Sequence, residues 1–221
     1  MHVSTITIGW IAAVLTVGLG IPQLIKTFRV KEVSGVNFYS MFTFGLGAGM
    51  WVMFSGTLGS EGFQPGIANA CSLFVFATLI TLLFKYKKSK KWKFVGVINY
   101  SYVVFAITIM TIGELKSWHI NEAGSIMFSL LAGMCTTFAF FPQTIKTFKE
   151  KDVENLSVGS FIMGTIVNLL WTIYWGMLSV DKTLGQWLMP CLLSFIGVII
   201  YLSQTILILK YKEKKKINSA K

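Results

Sequence analysis

The sequence predicts an all-α membrane protein of seven transmembrane helices, built as two parallel three-helix bundles joined by one linker helix (3+1+3). Three observations predict it: a gapless internal repeat, a composition too apolar for water, and basic residues confined to alternate loops. The repeat has an offset of 120 residues, so that Pro22-Gln23-Leu-Ile-Lys26-Thr-Phe28 returns as Pro142-Gln143-Thr-Ile-Lys146-Thr-Phe148. The register then holds at Lys31 and Lys151, Val33 and Val153, Ser40 and Ser160, Trp51 and Trp171, and Gly56 and Gly176. Self-similarity at a fixed period marks a fold built from repeated units.

Composition narrows the class. Of 221 residues 54% are hydrophobic and 13% charged, against roughly 25% charged in a soluble domain. A formal charge of +11 could fit nucleic acid. The lysines, however, sit in short runs between long apolar stretches, Lys85 to Lys93 and Lys210 to Lys221, as cytoplasmic loops do. No nucleic-acid partner is expected, and the lipid bilayer is. Cys71, Cys135 and Cys191 lie inside apolar stretches, are odd in number and lack metal-ligand spacing. They read as small buried hydrophobes, with no disulfide, metal site or cofactor implied. The first stretch has no basic leader and no small-residue cleavage site, so it reads as a retained span.

A helical span needs about 20 apolar residues. Seven segments meet this: 4–26, 39–58, 66–85, 94–113, 124–146, 158–178 and 187–209. Loops one, three and five and the C-terminal tail carry Arg29, Lys31, the lysines from Lys85 to Lys93, Lys146, Lys149, Lys151 and the tail lysines. Loops two, four and six hold only Lys116 and Lys182 among basic residues. The positive-inside rule then puts the N-terminus outside and the C-terminus in the cytoplasm. The repeat covers spans one to three and five to seven, and a single intervening span restores their direction. Residues 1–88 form the first repeat, 89–122 the linker helix with its loops, 123–210 the second repeat and 211–221 a basic tail. Two such halves suggest a solute pathway along the axis between them.

Individual residues refine this. Pro22 and Pro142 lie near the cytoplasmic ends of spans one and five, where proline removes a donor and frees a carbonyl one turn earlier. Gln23 and Gln143 can hydrogen-bond the freed groups, which in lipid must find a partner. Recurrence in both halves favours a pair of hinges over two helix ends. Gly45, Gly47 and Gly49 in span two, and Gly159 and Gly164 in span six, make these helices deformable or let them pack closely. Trp51 and Trp171 lie about 12 residues from the cytoplasmic boundary, about 18 Å deep at 1.5 Å per residue. Tryptophan prefers the interface, where its N–H finds a partner; a symmetric mid-depth pair suggests two indoles facing a cavity. Trp10, Trp92, Trp118, Trp187 and Trp175 lie nearer span ends and read as belt residues. Asn69 in span three aligns with Met189, and Asn168 in span six aligns with Ala48. Each half thus keeps one membrane asparagine, costly unless bonded, supplied by a different helix.

The seven segments contain no interior Asp or Glu, and His2 and His119 lie at or beyond the membrane edges. A proton-coupled carrier needs an embedded ionisable relay, so a neutral polar solute moving downhill is expected. No phosphate loop, metal spacing or nucleophile–base pair is visible, and the chain is not expected to be an enzyme.

The Pro-Gln turns, their lysine-rich continuation and the mid-span tryptophans resemble the PQ-loop superfamily. The first half looks like a SemiSWEET sugar transporter, in Ile8-Gly-Trp-Ile-Ala-Ala-Val-Leu-Thr16, Pro22-Gln23, Trp51 and Ile67-Ala-Asn69-Ala. The two-repeat, seven-span form is similar to the SWEETs. The resemblance implies a facilitative alternating-access uniporter in the plasma membrane, with Trp51, Trp171 and Asn69 lining a mono- or disaccharide site and Pro22 and Pro142 as hinges. Met189 stands where the second pocket asparagine is expected. The Arg-Asp outer gate of some SemiSWEETs is absent from Phe54-Ser-Gly-Thr-Leu-Gly-Ser60, leaving Phe54 and Tyr174, aligned at the repeat offset, as the expected outer gate. The superfamily also holds proton-driven cystine and cationic amino acid exporters, and KDEL-type trafficking receptors share the architecture; a charged residue in the central cavity would favour either. Two fused repeats can form one pore per chain, with homo-oligomers left open.

Overall fold

The computed structural model describes residues 3–31, 38–151, 153, 156, 158–181 and 185–219, the side chains of 30, 181, 185 and 213–219 excepted. His2, Val33, Lys182 and Lys221, used in the charge and repeat arguments, lie outside the described residues. Every regular element described is helical: α1 Val3–Val30, α2 Phe38–Ser55, α3 Phe63–Tyr86, α4 Trp92–Leu115, α5 Glu122–Thr137, α6 Phe141–Glu150, α7 Val158–Asp181 and α8 Gly185–Ser219. A single 3₁₀ turn, Gly59–Glu61, joins α2 to α3. Among the described residues six helical stretches are long and apolar enough to cross a membrane, with α5 and α6 together making one of them. The chain is therefore a multi-pass integral membrane protein. The second expected span, α2, is not among the six; it has 18 residues, and its glycines, serines and tyrosine dilute its apolar side chains.

The two copies share some of their helix boundaries. Helices α2 and α7 start at Phe38 and Val158, the same repeat position. The Pro-Gln helices both stop on a left-handed lysine, Lys31 at φ 54° and Lys151 at φ 56°. Each of these lysines donates its N–H to the carbonyl four residues back, Thr27 at 3.0 Å and Thr147 at 2.9 Å. That conformation is uncommon for a side-chain-bearing residue, and its recurrence marks a shared stop. At the start of α5, Asn121 caps the helix by accepting the Gly124 N–H at 2.8 Å, followed by Glu122 in the first turn, as a helix N-terminus favours.

The prolines behave differently. Pro22 sits inside an unbroken α1, whereas the segment expected as 124–146 is broken between Thr137 and Phe141, with Pro142 in the first turn of α6. Proline at a helix start costs nothing, because that N–H is unsatisfied anyway. The local difference is Gly18-Leu19-Gly20 before Pro22 against Phe138-Ala139-Phe140 before Pro142. Gly20 lets α1 run hard against α3, where an added Cβ would fall 2.6 Å from Val75 Cγ1. The Phe140 ring instead packs between Phe44 and Tyr201.

Packing follows the repeat. Helix α3 lies against both α1 and α2, and α8 against both α5 and α7. The copies meet where α2 packs on α5 and α1 on α7. Helix α4 packs on α3 and α2, its backbone closing on the chain just past α2, where Gly56 meets Met110 and Gly113. One core, between the copies, gathers Trp51, Phe54, Trp171, Tyr174, Trp175 and Trp187. A second, around Val52, Leu73, Phe76 and Val103, joins α2, α3 and α4. The outward faces stay apolar, as at Phe94, Val97, Val104 and Phe105 of α4. Such a contiguous apolar exterior is what a lipid solvent, not water, accommodates.

Candidate functional site

Between the copies lies a narrow cavity of about 70 Å³, walled by Thr16, Trp51, Asn69, Thr136, Asn168, Trp171, Trp175 and Ser194 among others. Four of the residues singled out from sequence, Trp51, Trp171, Asn69 and Asn168, share this wall. Trp51 and Trp171 each lie 13 residues into their helices, a rise of about 20 Å, so equal register delivers both indoles to one depth.

Both indole N–H groups are satisfied across the interface between the copies. Trp51 Nε1 donates to Thr136 Oγ1 of α5 at 3.3 Å. Trp171 Nε1 donates to Thr16 Oγ1 of α1 at 2.9 Å. The amides follow a common pattern on unlike helices. Asn69 Nδ2 donates to the Pro65 carbonyl at 2.9 Å and Asn168 Nδ2 to the Gly164 carbonyl at 2.8 Å, each four residues back. Anchoring one N–H this way leaves each amide oxygen as an acceptor. Asn168 rests against Gly197 of α8, where any Cβ would fall 2.7 Å from its Cγ. The cavity wall therefore brings two indoles and two side-chain amides together, a surface suited to a small polar ligand.

Met189 is not on this wall; Leu193 and Ser194 of the same helix are. Its repeat partner Asn69 does line the wall, so α3 and α8 do not present equivalent positions to the cavity.

The aromatic ceiling extends beyond the expected pair. Trp175 stacks on Trp51 at 5.8 Å, on Trp171 at 6.1 Å and on Trp187 at 5.9 Å, with planes within 26° in each case. Trp175 and Trp187 are each 2% exposed, so the belt reading for these two is corrected: they fill the protein interior. Trp10 and Trp118 stay exposed. The readable signal for Trp175 was its spacing, four residues after Trp171 on the same helix face. Phe54, 1% exposed, and Tyr174, 0% exposed, join this layer. Phe54 stacks on Phe128 and touches Trp51, and Tyr174 donates to the Glu61 carbonyl at 2.7 Å. Neither lies on the cavity wall itself; they pack against Trp51 and Trp171, which do. Glu61 is itself buried there, but the central cavity wall does not include it.

Toward the Pro-Gln end a vestibule of about 340 Å³ opens, lined by Pro22, Gln23, Lys26, Ser40, Gln143 and Ser160 among others. Leu19, Phe44 and Tyr201 line both spaces and so stand at the passage between them. Pro142 is not on the vestibule wall. Gln23 and Gln143 donate to Thr27 and Thr147, at 3.3 and 3.4 Å, not to carbonyls freed by proline. Their partners lie one turn ahead on the same face, within easy reach, and the Phe138 carbonyl freed by Pro142 is taken by the Phe141 N–H at 3.1 Å.

Comparison with known proteins fits this geometry. An uncharacterised protein of Methanocaldococcus jannaschii is 50% identical over 44 residues, 20% of this chain and 47% of that protein. The sugar transporter SemiSWEET of Bradyrhizobium diazoefficiens is 42% identical over 53 residues, 24% of this chain and 60% of that protein. The chain thus spans about half the length of the curated relatives it matches. The profile of the PQ loop repeat matches twice, over residues 5–61 and 124–184, more than half of the sequence and in step with the internal repeat. The chain belongs to the PQ-loop repeat family.

Proposed function

We propose that this protein is a facilitative, alternating-access uniporter for a neutral, hydroxyl-rich solute, a mono- or disaccharide. The observation that carries the proposal is the cavity between the copies, where two indoles at one depth meet two side-chain amides. Flat apolar rings stack on the C–H faces of a sugar while the acceptors take its hydroxyl protons, the division of labour expected of a small polar ligand's site. The relative in Bradyrhizobium named as a sugar transporter supports the same class. In this reading the helices form a 3+1+3 arrangement with α4 as the linker, the N-terminus outside and the Pro-Gln end in the cytoplasm. The open vestibule then faces inward, and Phe54, Tyr174 and the tryptophan layer are the closed outer gate. The plasma membrane is the proposed location. Entrance counterflow tests the proposal. Proteoliposomes preloaded with unlabelled glucose or sucrose accumulate the labelled sugar transiently, and empty ones do not; equal traces in both would overturn it.

A further inference from the structure

The two indole N–H bonds form a set that neither the cavity nor the family match explains. Thr16 and Thr136 occupy the same repeat position, as Trp51 and Trp171 do. Each bond runs from a tryptophan of one copy to the threonine of the other, Trp51 to Thr136 at 3.3 Å and Trp171 to Thr16 at 2.9 Å. The hydroxyl protons are already committed: Thr16 donates to the Ala12 carbonyl at 2.7 Å, and Thr136 to the carbonyls of Ala132 and Gly133 at 3.2 Å each. A hydroxyl so anchored keeps its lone pairs for one more partner, and in both cases an indole takes them. Duplication in both copies argues against a chance contact.

We propose that Thr16 and Thr136 are positioning residues, holding each indole from the opposite copy so that its face, and not its N–H, is turned to the solute. The inference rests on the sugar-uniporter reading for its functional half. A ligand then meets two rings whose donors are spent, and discrimination falls to the amide acceptors of Asn69 and Asn168. An indole freed from its threonine regains rotation about its side-chain torsions and presents a donor of its own, losing affinity and orientation together. Valine keeps threonine's shape and removes the acceptor, whereas serine keeps the acceptor.

The test pairs a structural readout with a kinetic one. Indole N–H resonances of ¹⁵N-tryptophan-labelled protein in detergent are assigned with single Trp→Phe variants, and their solvent exchange is measured in Thr16→Val, Thr136→Val and the matching serine variants. Thr16→Val exposes the Trp171 indole alone and Thr136→Val the Trp51 indole alone, while serine leaves both protected. In sugar uptake each valine variant raises KM about threefold, the worth of one intramembrane hydrogen bond, with Vmax little changed, and serine restores it. Should a valine variant fail to fold, Thr→Ala against Thr→Ser gives the same comparison. Unchanged exchange at both indoles, or exchange without a KM shift in an active carrier, overturns the proposal. If the wild type carries no sugar, the uniporter reading falls, and indole exchange still decides whether the threonines hold the rings.

Discussion

Gly47→Ala probes a close approach between the two copies. Gly47 of α2 faces α5, and a Cβ built on it would lie 2.7 Å from Cys135 Cβ and 2.9 Å from the Ala132 carbonyl oxygen. Ordinary contact begins at 3.4 Å, so α2 and α5 must part by about 0.7 Å; a backbone carbonyl cannot rotate aside as a side-chain end can. The same displacement stretches the Trp51–Thr136 bond from 3.3 Å to about 4.0 Å, beyond hydrogen-bonding reach. Overpacking costs about 1–3 kcal/mol and the lost bond about 0.6 kcal/mol, so a loss of about 2–3 kcal/mol is expected. In detergent that lowers the melting midpoint on the order of 5–10 °C, read by fluorescence-detected size exclusion, with slower sugar uptake. Gly18→Ala is the control, because its nearest neighbour would be Met163 Sδ at 3.7 Å, and alanine gains helix propensity there. A Gly47→Ala protein that melts and transports like Gly18→Ala would refute the close packing of α2 on α5.

Three further outcomes follow from the same geometry. Gly197→Ala pushes Asn168 off its seat on α8 and raises the KM for sugar about tenfold, roughly one polar contact to the ligand, with little change in the KM of Gly176→Ala, where Cys191 Sγ at 3.7 Å leaves room. Trp175→Ala removes the ring that stacks on three other tryptophans; the outer seal then leaks, seen as cysteine-reagent labelling of Asn69→Cys from the outer side. Pro142→Ala restores the missing donor at the α5–α6 break and slows turnover at unchanged equilibrium binding, while Pro22→Ala, inside a continuous helix, changes turnover by less than twofold, on the order of a few tenths of a kcal/mol.

The sequence and the structure agree most closely where the repeat itself carries the information. Equal helix starts and equal spacing put Trp51 and Trp171 at one depth, and residue spacing suffices to read that. The 120-residue offset also aligned Thr16 with Thr136, but threonine is common in apolar helices and nothing in its neighbours pointed to an indole partner 85 or 155 residues away. Near a span end Trp175 suits a belt residue equally well; the approach of α2 and α8, bringing Trp51 and Trp187, buries it. The unequal fate of the two prolines was hidden in the residues before them, glycines in one copy and phenylalanines in the other. Local propensity tolerates either outcome there, and packing against α3 or against Phe44 and Tyr201 decides. Met189 shows the limit of strict alignment: a repeat can keep its fold while a pocket position moves from one helix to another, as the second amide does from α8 to Asn168 of α7.

The central claim is a downhill, proton-independent path for a sugar through the cavity between the copies, and initial-rate uptake of labelled glucose and sucrose into proteoliposomes tests it most directly. Measured with and without an imposed pH gradient, wild-type uptake is expected to saturate at the same rate under both conditions. It should collapse in Trp51→Ala, Trp171→Ala and Asn69→Ala variants that still fold. Uptake driven by the pH gradient, or sugar flux untouched by all three substitutions, would contradict the account.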